Sequence, residues 1–328
     1  MQVPIPTLIV LPTPVRQFYV QDFLAAARKS VLSDVLLSTL TNIDPNELAA
    51  QLTKYAPTAA RQTLQGAGIR DEHAFALPIV LLARPSLIGY YRLLAGVSQK
   101  QFYTTRAGTT AFKSMELENR ISVAAQSRIG DLCLALNDSL GELITGIPGG
   151  ITKQDLDQLP LMMLGAQADG SWRTRIGQEA TKQVYEGIKA IVTASQTAFQ
   201  EIPEGTSLTL INNSGRKITA ALAADPDVVI REDIGSTSIL KVAIEIKGGT
   251  DSSNAHNRAG EAEKSHQKAR LANASDFWTV ISLARVDHAV IKGESPTTRQ
   301  WFDVTEIVTM KGDAWDRFSN AVRIAMGI

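Results

Sequence analysis

The run Ile239-Leu240-Lys241-Val242-Ala243-Ile244-Glu245-Ile246-Lys247 is the feature that most constrains this chain. Residues 239–246 are mostly β-branched and aliphatic, so they read as a strand with a core face. Side chains alternate faces along a strand, so Ile246 points into the core while Glu245 and Lys247 point the same way. A carboxylate and an ammonium thus share the end of an otherwise apolar strand, a placement that is costly unless it is used. Asp227 opens a neighbouring β-rich segment, DVVI at 227–230. A hairpin-like connection would bring it beside Glu245, so that two carboxylates and a lysine converge at a sheet edge.

Phosphodiester cleavage needs that combination. A hard cation such as Mg²⁺ takes oxygen ligands, typically one or two carboxylates plus waters. It acidifies a bound water and neutralises charge building on the phosphate. Asp227 and Glu245 are the candidate ligands, and the backbone carbonyl of Ile246, between Glu245 and Lys247, could supply another oxygen. The Lys247 ammonium would orient the attacking water and stabilise the transition state electrostatically. Gly248-Gly249, directly after the strand, would let a backbone phosphate approach closely. Each piece alone also has an ordinary explanation: Asp after Pro is common in turns, and Glu-x-Lys is common on solvated strand faces. The combination favours the chemical reading.

The rest of the chain frames this centre. At 328 residues and 44% hydrophobic, it can bury one large core or two moderate ones. Thirty-three basic and thirty-three acidic residues give no net attraction to nucleic acid, which excludes a strongly basic coating protein but not an enzyme with a local basic face. Cys133 is the only cysteine, so intrachain disulfides and Cys-rich zinc sites are excluded. No apolar run is long enough to span a bilayer, and the Pro-interrupted N-terminus lacks a basic flank, so a cytoplasmic protein without membrane attachment is expected. Helical spacing recurs over residues 17–40, 44–54, 85–103 and 110–144. Turn chemistry marks 145–171, and a boundary is expected near 165. This gives a mainly helical region at 1–165, for DNA clamping or dimerisation, and a nuclease domain at 166–328. The second half reads as a long helix over 174–199, then strands at 207–212, 217–222, 227–230 and 239–246, with REDIGSTS (231–238) as a turn-rich connection. A polar helix at 255–273, a strand at 277–284 and an amphipathic helix at 313–326 follow. The fold class expected is α/β (α+β), a mixed β-sheet core flanked by helices.

Pro226-Asp227 followed by Glu245-x-Lys247 resembles the PD-(D/E)XK nuclease superfamily. More specifically, EIKGGTDSSNAHNRAGEAEKSHQKA (245–269) and LIGYYRLLAGVSQKQFY (87–103) are similar to the corresponding stretches of XcyI-type restriction endonucleases. The resemblance thus touches both halves. It implies a restriction-endonuclease-like core, Asp227 and Glu245 as Mg²⁺ ligands and Lys247 as the catalytic lysine. It further implies a homodimer that cuts both strands of a short palindromic, GC-rich hexanucleotide site in double-stranded DNA.

Residues after the strand are candidates for contact with that DNA: Asn254, Asn257, Arg258, Lys264, His266 and Lys268. Asn and Arg suit base edges, and Lys suits phosphates. A solvated helix with Glu261…Lys264…Lys268 pairs explains several of them equally well. His256 is a candidate base or orienter of the attacking water, against a structural or phosphate-binding role. Glu179 is a candidate additional carboxylate, and Arg173 and Arg175 are candidate phosphate contacts. Tyr90, Tyr91, Phe102 and Tyr103 read as a core or dimer stripe. A lesion- or junction-recognising nuclease with the same centre, and a non-catalytic DNA-binding protein, remain open alternatives at this point.

Overall fold

The computed structural model describes residues 14–249, 255–283 and 286–328. The chain forms two compact units that divide between Trp172 and Arg173. No helix among the described residues is long and apolar enough to cross a membrane.

The described part of the first unit is helical. It contains α1 (Val15–Arg28), α2 (Ser33–Leu40), α3 (Pro45–Tyr55), α4 (Thr58–Gly66), α5 (Pro78–Ala83), α6 (Ile88–Leu94), α7 (Gln99–Phe102), α8 (Lys113–Glu118), α9 (Val123–Gln126) and α10 (Ile129–Gly146). Asp44 caps α3 by accepting from the backbone N–H of Asn46, and Pro45 occupies the first turn, where no donor is lost. Tyr90, Tyr91 and Phe102 lie in the main core of this unit with Phe75, Leu77 and Leu140. Inside it, the fully buried Arg92 forms a two-pronged ion pair with Glu116, Nε to Oε2 at 3.0 Å and Nη2 to Oε1 at 2.7 Å. Gln99 and the Tyr103 hydroxyl donate to the same carboxylate, so the buried charges are hydrogen-bonded as well as paired.

Helix α11 (Lys153–Ala194) starts well before the helix expected at 174 and contains Pro160. Turn chemistry dominates the sequence there, yet Thr152 and Asp155 form a reciprocal cap. The Thr152 N–H donates to Asp155 Oδ2 at 2.7 Å, and the Asp155 N–H to Thr152 Oγ1 at 3.2 Å. Such a cap satisfies two otherwise orphaned donors and fixes the helix start.

Among the described residues, the second unit holds seven strands in one mixed sheet, ordered as in sequence. They are β1 (Phe199–Glu201), β2 (Ser207–Ile211), β3 (Lys217–Leu222), β4 (Val228–Ile234), β5 (Thr237–Lys247), β6 (Asp276–Ile281) and β7 (Gln300–Asp303). Neighbours from β1 to β5 pair antiparallel, whereas β5–β6 and β6–β7 are parallel. The parallel steps need crossovers, supplied by α12 (Ala255–Leu271) between β5 and β6 and by α13 (His288–Glu294) between β6 and β7. Two further helices, α14 (Val304–Thr309) and α15 (Asp313–Met326), end the chain.

One sheet face packs Val228, Ile244, Ile246, Trp278 and Phe302 against Val184 and Ile188 of α11 and Phe318 and Val322 of α15. The other face packs Val229, Ala243 and Phe277 against Ala269 of α12. A mixed sheet with helices on both faces is the architecture expected from sequence. REDIGSTS is not a connection, however, because the β4–β5 hairpin runs through it with Ile234 paired to Thr237. Only Gly235 and Ser236 turn the chain, and Gly235 takes φ +63°, which a two-residue hairpin turn demands. Glu232 is buried in this hairpin, where Arg216 (2.9 Å) and Lys241 (3.1 Å) neutralise it.

Candidate active site

Three side chains meet at the end of the β4–β5 hairpin away from its turn. Val228 pairs with Ile244, so one further step of the same register sets Asp227 across from Glu245. Asp227 Oδ2 accepts the backbone N–H of Ile246 at 2.7 Å, which fixes its carboxylate against β5. Glu245 shares the sheet face of Ala243, towards α12, and is only 5% exposed. Lys247 lies one alternation further on, with Nζ 2.9 Å from Glu245 Oε1. Two residues along a strand thus close an ion pair on one face, while Ile246 between them enters the opposite core.

Burial shapes the electrostatics. It pushes the Asp227 carboxyl above its usual range, with Asp225 adding to the rise and the Ile246 N–H and Lys247 opposing it. Burial likewise raises Glu245; the negative charge of Asp227 raises it further, and Lys247 opposes both. For Lys247, burial disfavours the ammonium, but Glu245, Glu261 and Asp227 together hold it above its ordinary value. The centre therefore consists of two desolvated carboxylates that repel each other and one charged lysine.

Helix α12 lies along this centre, and one of its faces is directed inward. Arg258 Nη1 donates to the carbonyl of Gly249 at 2.5 Å. Glu261 Oε2 is 3.6 Å from Lys247 Nζ. The Ser265 hydroxyl lies beside Glu245 and Asp225 and favours the charged form of each. Lys268 Nζ is 2.6 Å from Asp225 Oδ2. Spacings of three, four and three residues keep all four side chains on one helical stripe.

The two glycines after β5 are also occupied by protein. A Cβ at Gly248 would meet Ala180 Cβ and stand 2.9 Å from the carbonyl oxygen of Ile176, both on α11. A Cβ at Gly249 would run into the Arg258 guanidinium. Their missing side chains let α11 and Arg258 approach the strand end, which corrects the expectation that they leave room for a phosphate.

The family model described as XcyI restriction endonuclease matches residues 21–328. This chain belongs to the XcyI restriction endonuclease family. It is 38% identical over 321 residues to the type II restriction enzyme XcyI of Xanthomonas campestris pv. cyanopsidis, across 97% of this chain and 95% of that protein. It is 37% identical over 318 residues to the type II restriction enzyme Cfr9I of Citrobacter freundii, across 96% of this chain and 95% of that protein. With identity and coverage of that order, and with a mixed sheet carrying Pro226-Asp227 and Glu245-x-Lys247, the chain is a PD-(D/E)XK restriction endonuclease.

The residues expected around the centre divide into several groups. Asn257 and Lys264 are exposed on α12, and Asn254 lies outside the described residues. Arg258 and Lys268, expected at DNA, have protein partners, the Gly249 carbonyl and Asp225, and the Lys268 side chain is still 70% exposed. His266 is the clear correction: it is fully buried, with Nε2 2.9 Å from Thr279 Oγ1 on β6. A side chain without solvent exposure presents no edge to DNA, and burial lowers its pKa to about 4. His256 is exposed on the first turn of α12, and among the described residues no hydrogen bond or ion pair joins it to Asp227, Glu245 or Lys247. Glu179 is an exposed residue of α11 whose Oε1 accepts from Gln183 at 2.8 Å. It lines a small, mainly apolar cavity of about 210 Å³ together with Gly248 and Val304. Sequence reasoning missed the Glu261 contact with Lys247 and the roles of Asp225 and Ser265 in the same cluster.

Proposed function

We propose that this enzyme hydrolyses phosphodiester bonds of double-stranded DNA at a specific short palindromic site, as a Mg²⁺-dependent homodimer in the cytoplasm. The observation that carries the reading is the Asp227, Glu245 and Lys247 cluster on a buried hairpin end, within a chain of this family.

The donor set suits magnesium. Among the described residues no group of three or more His, Cys, Asp or Glu side chains gathers into an all-protein cage. Two buried carboxylates, both pushed above their usual range by desolvation and one raised further by the other, are the arrangement a hard divalent cation relieves, and magnesium commonly uses only one or two carboxylates and keeps several waters. Asp227 and Glu245 would hold it, with the Ile246 carbonyl as a further oxygen. Magnesium, when bound, would acidify water and offset charge on the phosphate.

The protein's own groups supply the rest. The Ile246 N–H orients Asp227, which keeps the two carboxylates at a fixed separation. Lys247 remains charged in a partly desolvated place, where its ammonium donates to the attacking water and to a phosphate oxygen. Water adds to phosphorus, the bond to the 3′ oxygen breaks, and a proton goes to that oxygen, leaving 5′-phosphate and 3′-hydroxyl ends. Asn257 and Lys264, exposed on α12, would meet the duplex, with His256 beside them at the helix start. The helical first unit would serve clamping or dimerisation.

Digestion of a phage genome with Mg²⁺, followed by sequencing of the fragment ends, tests this. Every end should carry one palindromic sequence, and Lys247→Ala should give no fragments. Intact DNA, or ends without a common sequence, overturns the proposal.

A further inference from the structure

We propose that Glu261 is a positioning residue that holds Lys247 at the reaction centre, a role that rests on the nuclease reading above. Among the described residues, Lys247 Nζ has two carboxylate neighbours at ion-pair distance, Glu245 Oε1 at 2.9 Å and Glu261 Oε2 at 3.6 Å. They differ in kind. Glu245 is buried on the strand and belongs to the pair of carboxylates suited to a cation. Glu261 comes from a separate element, the second turn of α12, and its side chain is 60% exposed.

The distinction has a chemical consequence. A carboxylate oxygen committed to a cation is a poorer partner for an ammonium, because positive charge already sits on it. Lys247 then needs a second anchor if its flexible four-carbon stem is to keep Nζ in one place. Glu261 is the other carboxylate that the structure brings within ion-pair distance of Nζ. Arg258 and Lys268, three residues before and seven after it on the same stripe, tie α12 to Gly249 and Asp225. The helix that presents Glu261 is therefore fixed at both ends of the cluster. Among the described residues, the alternative partners of Glu261 suggested by sequence form no ion pair with it: Lys268 is engaged by Asp225, and the pairing found for Glu261 is with Lys247 and not with Lys264.

The test is Glu261→Gln, measured in three ways. Under single-turnover conditions with Mg²⁺, cleavage should slow roughly 10- to 100-fold, the range a misplacement of about 1 Å produces. DNA affinity measured by fluorescence anisotropy with Ca²⁺ should be unchanged within about twofold, since the position serves the lysine and not the duplex. With Ca²⁺ bound and no DNA present, amine acylation followed by peptide mass spectrometry should label Lys247 several-fold faster in Glu261→Gln than in the parent. Unchanged single-turnover cleavage, a loss of DNA affinity that accounts for the slower cleavage, or unchanged labelling of Lys247 would overturn the proposal. The labelling experiment needs no cleavage, so it stands even if the enzyme fails to cut DNA, an outcome that would count against the nuclease reading instead.

Discussion

Gly248→Ala isolates the packing that sets the end of the catalytic strand. A methyl group there would stand 2.9 Å from the backbone carbonyl of Ile176 and closer still to Ala180 Cβ. Ordinary carbon–oxygen approaches are about 3.3–3.6 Å, so the shortfall against the carbonyl is roughly 0.4–0.7 Å. That oxygen belongs to the backbone of α11, whose Val184 and Ile188 are fully buried, so the helix has little freedom to yield. The exit of β5 must yield instead, and Lys247 is the residue immediately before it. Overpacking of this kind costs about 1–3 kcal/mol, a measurable share of the roughly 5–15 kcal/mol that holds a domain folded. The displacement should also slow cleavage by about tenfold or more, because it moves the ammonium. Urea denaturation should show a lower midpoint with an unchanged slope, and single-turnover cleavage should fall in parallel. Adding Ala180→Gly removes the nearer clash but not the carbonyl, so recovery should be partial. Full stability and full activity in Gly248→Ala would refute the packing argument, as would complete rescue by Ala180→Gly.

Asp227→Asn should abolish Mg²⁺-dependent cleavage yet keep the fold, since an amide oxygen can still accept the Ile246 N–H. Because burial raises the Asp227 pKa, its charged form opposes folding at neutral pH, so the metal-free variant should unfold at no lower a temperature than the parent. His266 sets an acid limit. Its folded pKa of about 4 lies below the ordinary histidine value of 6.5, so the unfolded chain binds the extra proton and stability falls as pH drops from about 6.5 to 4. The loss amounts to roughly 3 kcal/mol, and His266→Leu should flatten that limb of the midpoint-versus-pH curve while lowering its plateau. In the first unit, Glu116→Gln would leave the buried Arg92 guanidinium without its counter-charge and should cost about 3–5 kcal/mol in urea denaturation. Exchanging both partners for apolar residues of similar volume should cost much less.

Much of the second unit can be read from its residues. The segments at 217–222 and 313–326 coincide with β3 and α15, because each carries a clean periodicity between turn signals. Strand alternation also places Glu245 and Lys247 together. What escaped has physical causes. β1 and β7 contain three and four residues, too few to display a period. The start of α11 is hidden by Pro160, although the Thr152–Asp155 cap outweighs it locally. The inner face of α12 is the hardest case. It buries Ala259, Ala262 and Ala269, small side chains that give almost no hydrophobic signal, so the helix reads as uniformly solvated. Hence His266 seemed exposed, while the inward contacts of Glu261 and Ser265 went unseen.

The β4–β5 hairpin changes its pairing between Ile230 and Arg231, where Lys241 is the extra residue on β5. Near the turn, Arg231 faces Leu240 and Ile234 faces Thr237; beyond the change, Ile230 faces Val242 and Val228 faces Ile244. Had the count set by the Gly235-Ser236 turn continued, Asp227 would sit across from Ile244, one residue short of Glu245. The bulge acts as a vernier between two scales, one fixed by the turn and the other by the core. A single surplus lysine, remote from the chemistry, thus decides which residue of β5 the aspartate can face. It also separates the two ends of the hairpin, so that the loop end can vary in sequence without resetting the alignment of the acidic pair.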